Sequence, residues 1–386
     1  MKEKNNLQKE KGNKEASKQF CVVGVGASAG GLDAFNELLK TIPKDSGMAF
    51  VLVQHLDPKH QSQLPEILQR SAKIPVREIK DEMEVEPNHI YVIPSNKTLT
   101  FKDKTLVLTT RKQPHDQSPY LPIDSFLTSL AEVYGSYSIS IILSGTGADG
   151  SLGLKAIKGH GGVTFAQDEK SAGFPDMPKN AIEAGFVDFV LPPGKILNKI
   201  VEVINTMNKA HIDKSENGEL ISEDDSKNKK DGEKAEGLTN ANKDSSLEKK
   251  EAEVFRSILA LLRVRKETDF TYYKQTTIRR RILRRVALNN KKTPANYLQY
   301  LRDHTKEQDL LYQDLLIPVT NFFRDPVIFE NLPHTAFSKI LEHKETDKSI
   351  RIWIAGCSTG EEVYSMAISL LEYLNSSSTK APILKY

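Results

Sequence analysis

The run Val22-Val23-Gly24-Val25-Gly26-Ala27-Ser28-Ala29-Gly30-Gly31-Leu32 constrains the fold more than any other stretch of the 386-residue chain. Its opening is uniformly apolar or small, which predicts a strand buried on both faces, as in a parallel sheet. Apolar residues then recur at Leu32, Phe35, Leu38 and Leu39, the spacing of an amphipathic helix. A buried strand feeding a helix through small residues predicts an α/β domain with a doubly wound parallel sheet. Ser28 falls on the tight turn between the two, beside the helix N-terminus, where free N–H groups favour negative charge. The same letters fit two patterns. One is G-x-S-x-G, which presents a nucleophile. The other is G-x-G-x-x-A from Gly24 to Ala29, which lets a dinucleotide approach. The motif alone leaves both open.

Later strands weigh between them. Met48 to Val53 predicts a second buried strand ending in Gln54-His55, and Ser138 to Leu143 a third. The third runs into Ser144-Gly145-Thr146-Gly147-Ala148-Asp149-Gly150. Ligands of an open parallel sheet bind just past the carboxyl ends of its strands, so Ser28, His55 and Asp149 are expected at one edge. Hydroxyl, imidazole and carboxylate there suit acyl transfer as nucleophile, general base and orienting acid. A nicotinamide site needs an acid for the ribose at the end of the second strand, where Gln54-His55 stands instead. Each residue also has a bland reading: Ser28 as a helix cap, His55 as a surface histidine, Asp149 as the anchor of its own glycine turn. Their coincidence at three strand ends favours catalysis. Gly162 to Ala166 predicts a further strand whose loop brings Gln167, Asp168, Ser171, Phe174 and Met177 near the crevice. Gln167 and Met177 either contact an ester or pack the loop. His60, His89 and His160 lack partners at ligand spacing, and no metal site is expected.

Residues 19–208 resemble the catalytic domain of the CheB protein-glutamate methylesterases. The resemblance rests on Gly26-Ala27-Ser28-Ala29-Gly30-Gly31, Val53-Gln54-His55, His89-Ile90-Tyr91-Val92-Ile93-Pro94, Leu143 to Gly150, and Ala166-Gln167-Asp168 with Ser171 to Pro178. It implies Ser28 as nucleophile, His55 as base and Asp149 as orienting acid, with backbone at Ala29 and near Thr146 holding the oxyanion. It further implies a glutamyl γ-methyl ester on a chemoreceptor as substrate, deamidation of glutamine by the same route, and no cofactor. Ala29 and Thr146 depart from the threonine and methionine common in the family, changes that backbone donors tolerate.

From 209 to 250 the chain is almost all Lys, Glu, Asp, Ser, Asn and Gly, which predicts a disordered, flexible linker. Residues 1–18 have the same character and offer neither a signal peptide nor an anchor. Two cysteines, Cys21 and Cys357, fit a reduced pair and a cytoplasmic location. Beyond the linker, Phe255, Ile258, Leu259 and Leu262 repeat at helical spacing. The segment Thr277 to Val286 then places Ile278, Ile282 and Val286 on one face, with Arg279, Arg280, Arg284 and Arg285 outside it. Such a cluster suits an anionic partner, but a net charge of +3 with arginine confined to one helix argues against nucleic acid. Ser349 to Ile354 reads as a strand, followed by the turn Ala355-Gly356-Cys357-Ser358-Thr359-Gly360-Glu361-Glu362 and a helix from Val363 to Leu374.

This second half resembles the CheR receptor methyltransferases, through the arginine helix, Asn321-Phe322-Phe323-Arg324-Asp325, and Ala355 to Glu362. The resemblance implies an all-α domain over 251–335, whose Arg279, Arg280 and Arg284 meet acidic chemoreceptor helices. It also implies an S-adenosyl-L-methionine domain over 336–386, contacted by Arg324, Gly356 and Glu362. Only the first βα unit of a Rossmann-like sheet is expected before Tyr386, so weak or absent cofactor binding and no methyl transfer are expected. No receiver domain is read before Phe20, which predicts an esterase independent of aspartyl phosphate. Two other functions remain in play: a non-catalytic receptor-binding module using the arginine helix, and a dinucleotide-dependent enzyme.

Overall fold

The computed structural model describes residues 20–54, 63–110, 120–215, 241–317, 320, 322–342 and 350–376, and the chain divides into two compact units between Leu316 and Ile317. The division falls ahead of the 335/336 boundary read from the sequence. In the first unit β1 (Val22–Ala27), α1 (Gly31–Thr41), β2 (Ala49–Gln54) and α2 (Leu64–Gln69) are followed by β3 (Val76–Glu78), β4 (Met83–Glu84), β5 (His89–Val92), β6 (Lys97–Lys102) and β7 (Thr105–Thr110). Then come α3 (Pro122–Tyr134), β8 (Ser138–Ile142), α4 (Ser151–Gly159), β9 (Val163–Gln167), α5 (Asp176–Glu183), β10 (Phe189–Leu191) and α6 (Pro193–Ser215). Seven strands form one parallel sheet in the order β10-β9-β8-β1-β2-β5-β3, and β4-β7-β6 form a small antiparallel sheet.

The run of apolar residues in β1 is explained by burial on both sides. Val23, Val25 and Ala27 pack with Phe35, Leu38, Leu39, Ile196 and Ile200 on one face. On the other face Val22, Val51 and Val53 meet α3 and α4 through Phe126, Leu127, Leu130, Leu154 and Ile157. Gly24 and Gly26 lie inside β1 and serve this second layer. A Cβ on Gly24 would sit 2.8 Å from Phe126 and Leu127, and one on Gly26 2.5 Å from Ile123. These glycines therefore let α3 lie close on the sheet rather than opening a turn to a pyrophosphate, which corrects the dinucleotide reading of Gly24 to Ala29.

The chain winds outward from β1 to β2 and then crosses through α3 to β8 on β1's other side. The order of strands thus reverses between β1 and β8, and the loops that follow these two strands flank the switch point.

Four helices complete the first unit: α7 (Ala241–Lys266), α8 (Gln275–Leu288), α9 (Pro294–Asp303) and α10 (Thr305–Leu316). They enclose a core of Phe255, Ile258, Leu262, Phe270, Ile278, Ile282, Val286, Tyr297, Leu301 and Leu311. Helices α6 and α7 reach into the stretch read as a linker, and its centre, 216–240, lies outside the described residues.

The second unit contains α11 (Pro326–Leu332), α12 (Ser338–Glu342) and α13 (Glu361–Ser376), with Phe337, Leu370 and Leu374 at its small core. The strand expected over Ser349 to Ile354 does not form: 350–354 has no strand assignment, and residue 349 lies outside the described residues. An extended segment becomes a strand only against a ladder partner, and none of the described residues supplies one. Ile352 and Trp353 are exposed there.

Candidate active site

Ser28 directly follows β1, and Gly30 (φ 72°) rather than Ser28 occupies the cap position of α1. No side chain caps that helix, so the serine is not spent on the bland role available to it. Its N–H donates to the Ser144 carbonyl at 3.0 Å, tying the turn after β1 to the turn after β8. The approach is close: a Cβ on Gly145 would lie 2.9 Å from Ser28 Cβ and 2.7 Å from the Met177 methyl carbon. Only a glycine fits between the two side chains without displacing one of them.

Asp149 sits five residues further along the second turn and is 3 % exposed. Its two carboxylate oxygens accept the Ile123 and Asp124 N–H groups at 3.0 and 2.9 Å. These are first-turn donors of α3 that have no partner within their own helix. Asp149 thus caps α3, a role that reaches beyond its own glycine turn. The Gly24 and Gly26 contacts that bring α3 onto the sheet also bring this helix end to the crevice. His55, assigned the base role, lies outside the described residues, as does His60; β2 ends at Gln54, one residue before His55.

Ser144, not singled out by the sequence pattern, joins three loops. Its hydroxyl donates to the Ala29 carbonyl at 2.9 Å and accepts the Phe174 N–H at 2.9 Å. Its own N–H goes to Gln167 Oε1 at 2.9 Å. Gln167 is buried, with its amide nitrogen donating to Ser171 Oγ at 3.2 Å, so its polar groups brace the Ser144 turn rather than face an ester. Met177 is likewise buried against Gly145, and its N–H donates to the Gly145 carbonyl at 3.0 Å. Of the two alternatives for these residues, loop packing is what the geometry favours. Thr146 is exposed at the crevice, Ala29 is half-buried, and neither N–H has a partner among the described residues. Two such donors beside the Ser28 turn match an oxyanion's needs.

Among the described residues no group of three His, Cys, Asp or Glu gathers as metal ligands would. Burial raises the Cys21 thiol to about 12, and both Cys21 and Cys357 are free thiols.

The arginine helix α8 has another fate from the one expected. Arg284, 1 % exposed, donates to the Gly162 carbonyl at 2.7 Å and to Asp314 at 2.6 Å, and pairs with Asp188. Arg281 donates to the Gly159 carbonyl at 3.1 Å and to the Asp314 and Leu315 carbonyls. Lys158 stands 3.2 Å from Asp314 and 3.6 Å from Asp188. Burial alone would raise the Asp188 carboxyl, but the Arg284 and Lys158 cations outweigh it and hold it below the ordinary value. The Arg280 stem packs on Gly161. Arg284 is therefore committed within the first unit, which corrects its assignment as a receptor contact, and Arg280 leans on the same edge. Arg279 lies over the Phe255 ring at 5.0 Å. The glycines and Asp188 that α8 meets precede β9 and β10, at the edge of the sheet opposite Ser28.

In the second unit Arg324, Gly356 (φ 71°) and Glu362 are all exposed. Ser365 Oγ accepts the Phe323 N–H at 2.8 Å and donates to the Glu361 carbonyl, fastening the 322–325 turn to α13.

Comparison with known proteins yields three family profiles in series. One described as CheB methylesterase matches residues 23–200, one described as CheR methyltransferase, all-alpha domain, matches 253–316, and one described as CheR methyltransferase, SAM binding domain, matches 318–384. An uncharacterized 104.1 kDa protein of Rhodobacter capsulatus is 33 % identical over 312 residues, covering 78 % of this chain. The chain spans 30 % of that protein's length. A Leptospira interrogans chain, provisionally named protein-glutamate methylesterase/protein-glutamine glutaminase, is 34 % identical over 195 residues, half of this chain and 98 % of its own. The crystal structure of the Thermotoga maritima CheB methylesterase catalytic domain is 30 % identical, with a TM-score of 0.44, and matches 48 % of this chain and 100 % of its own.

Proposed function

The chain belongs to the CheB methylesterase family, with CheR-type domains following, and on that premise we propose that it is a protein-glutamate methylesterase acting through Ser28. The observation that carries the reading is the Ser28 turn held at the sheet's switch point against the turn bearing buried Asp149. In this mechanism the Ser28 hydroxyl attacks the γ-carbonyl of a glutamyl methyl ester, and His55 takes its proton. Asp149 fixes the imidazole's tautomer and stabilises its cation, leaving the α3 N–H groups to share the carboxylate. The Ala29 and Thr146 N–H groups hold the oxyanion. Methanol leaves with the proton returned by His55, and water hydrolyses the acyl-enzyme. A side-chain amide can enter the same route and lose ammonia, which is glutamine deamidation.

The substrate is taken to be the helical methylation region of a chemoreceptor, met in the cytoplasm. Among the described residues no helix is long and apolar enough to cross a membrane. The esterase needs no cofactor in this scheme. S-adenosyl-L-methionine is the group the CheR domain's profile names, supplying an electrophilic methyl when bound. Arg324, Gly356 and Glu362 are the residues that would hold it. No observation favours the tether or the dinucleotide reading.

The test is methanol release from a methyl-labelled receptor fragment. The whole chain is expected to release it, and Ser28→Ala to lower the rate at least about 10³-fold. Equal rates would remove Ser28 from the chemistry.

A further inference from the structure

The N–H and C=O of a trans peptide point in opposite directions, so whatever pins a carbonyl also aims the N–H across the same peptide plane. The Ser28 carbonyl is pinned twice: it accepts the Gly31 N–H at 3.0 Å and Gln54 Nε2 at 3.3 Å. The other end of that peptide is the Ala29 N–H, which has no partner among the described residues. The same device recurs on the second turn. There the Gly145 carbonyl accepts the Met177 N–H at 3.0 Å, which aims the Thr146 N–H.

Gln54 is built into its place. It ends β2 directly beside Ala27 of β1, so the sheet register carries its side chain to the Ser28 turn. Its amide lies against Gly31, where a Cβ would stand in ordinary contact with Gln54 Nε2 at 3.5 Å and would crowd Ala27 Cβ at 2.7 Å instead. A carbonyl can only accept, so the amide must present its nitrogen to Ser28. The cost of that choice is visible, because Gln54 Oε1 is buried with no hydrogen-bond partner among the described residues.

We propose that Gln54 is a positioning residue of the esterase, holding the Ser28–Ala29 peptide so that its N–H points at the developing oxyanion. The assignment rests on Ser28 being the nucleophile. Gln54 acts through this peptide and does not touch the ester. Because Gly31 also pins the carbonyl, loss of Gln54 loosens the donor without deleting it. The expected loss is about tenfold in kcat, below the ~10²–10³ seen when an oxyanion donor is removed outright. Binding of the ester in its ground state does not use this donor, so KM stays within about twofold.

Three full-length chains test this: wild type, Gln54→Leu and Gln54→Glu. Each is assayed for methanol release from a methyl-labelled receptor fragment and for the rate at which a fluorophosphonate labels Ser28. Gln54→Leu is expected to lower kcat and the labelling rate together with KM unchanged. Gln54→Glu supplies a further readout. Its carboxylate repels the Ser28 carbonyl, whereas the protonated acid donates to it, so activity relative to wild type climbs as pH falls through the carboxyl's titration. A side chain that merely fills space gives no such recovery. Wild-type kcat in Gln54→Leu, or a pH-independent deficit in Gln54→Glu, overturns the role of Gln54 while leaving the esterase reading intact. A wild-type chain that neither releases methanol nor takes the phosphonate overturns both.

Discussion

Asp124 and Asp149 both lie at the start of α3 or on its donors, yet the helix serves them differently. Asp149 takes the helix's own N–H groups, while Asp124 accepts the Gly153 N–H at 2.7 Å and is 7 % exposed. Burial pushes the Asp124 carboxyl up to about 6, against the pull of Gly153 and with the Asp149 charge adding to the rise. A raised carboxyl means that between its unfolded value of 3.8 and about 6 the folded chain holds more protons than the unfolded one. Stability therefore falls as pH rises through that window, and the penalty is complete above it. Asp124→Asn keeps an acceptor for Gly153 and removes the charge. It is expected to raise the melting temperature at pH 8 by an amount worth on the order of 2 kcal/mol, with the gain vanishing below pH about 4. Melts of both chains across pH check this, and a gain that persists at low pH contradicts it. Ser28 and Asp149 were legible in the sequence because each lies on a short motif tied to a strand end. Ser144 and Gln54 were not, since their roles come from hydrogen bonds between loops far apart in the chain. The one signal for Gln54 was its seat beside His55, where it registered only as a missing acid.

At the level of elements, α8 shows what periodicity reads and what it leaves out. Ile278, Ile282 and Val286 are buried as their spacing predicts. Spacing also placed Arg284 and Arg285 outside that face, and both are nonetheless buried, because a second surface covers them. For Arg285 that surface is α10: its guanidinium meets Glu307 at 2.8 and 2.5 Å, and Glu307 also accepts from Tyr297. For Arg284 it is the edge of the parallel sheet. Helical spacing contains no information about a partner more than a hundred residues upstream. Arg284→Met would leave Asp188 buried with Lys158, and Asp314 with Lys158 and the more distant Arg285, and breaking a buried pair from one side costs about 3–5 kcal/mol. Chemical denaturation should show that loss. Replacing Asp188 and Arg284 together by apolar residues should recover part of it, and a double variant no better than the single one would contradict the pairing. The segment 350–354 fails in the opposite sense: its residues suit a strand, but a strand needs a neighbour as well as a composition.

For the molecule as a whole, the sheet and the all-α region of the first unit share a buried ionic contact, and they share apolar packing too. Ala287 belongs to the same core as Val203 and Ile200, and Leu288 packs against it. The flexible linker read over 209–250 implies that, if the two halves are independent, ester hydrolysis survives removal of everything past Lys209. The contact predicts instead that a chain ending there unfolds at lower denaturant than the full chain, because Asp188 loses Arg284 and apolar surface is exposed. Adding the 241–316 piece in trans should restore the midpoint toward that of the intact chain. Identical midpoints for the short and full chains would make the contact energetically empty.

The placement of α8 at the rim away from Ser28 has one more outcome. Among the described residues α8 touches that rim and not the turn bearing Ser28, so under the proposed mechanism a bulky, rod-shaped substrate could be met while the helical module stays seated. The module then behaves as a keel and not as a gate: it steadies the hydrolase under heat or dilution, and it does not decide when the door opens.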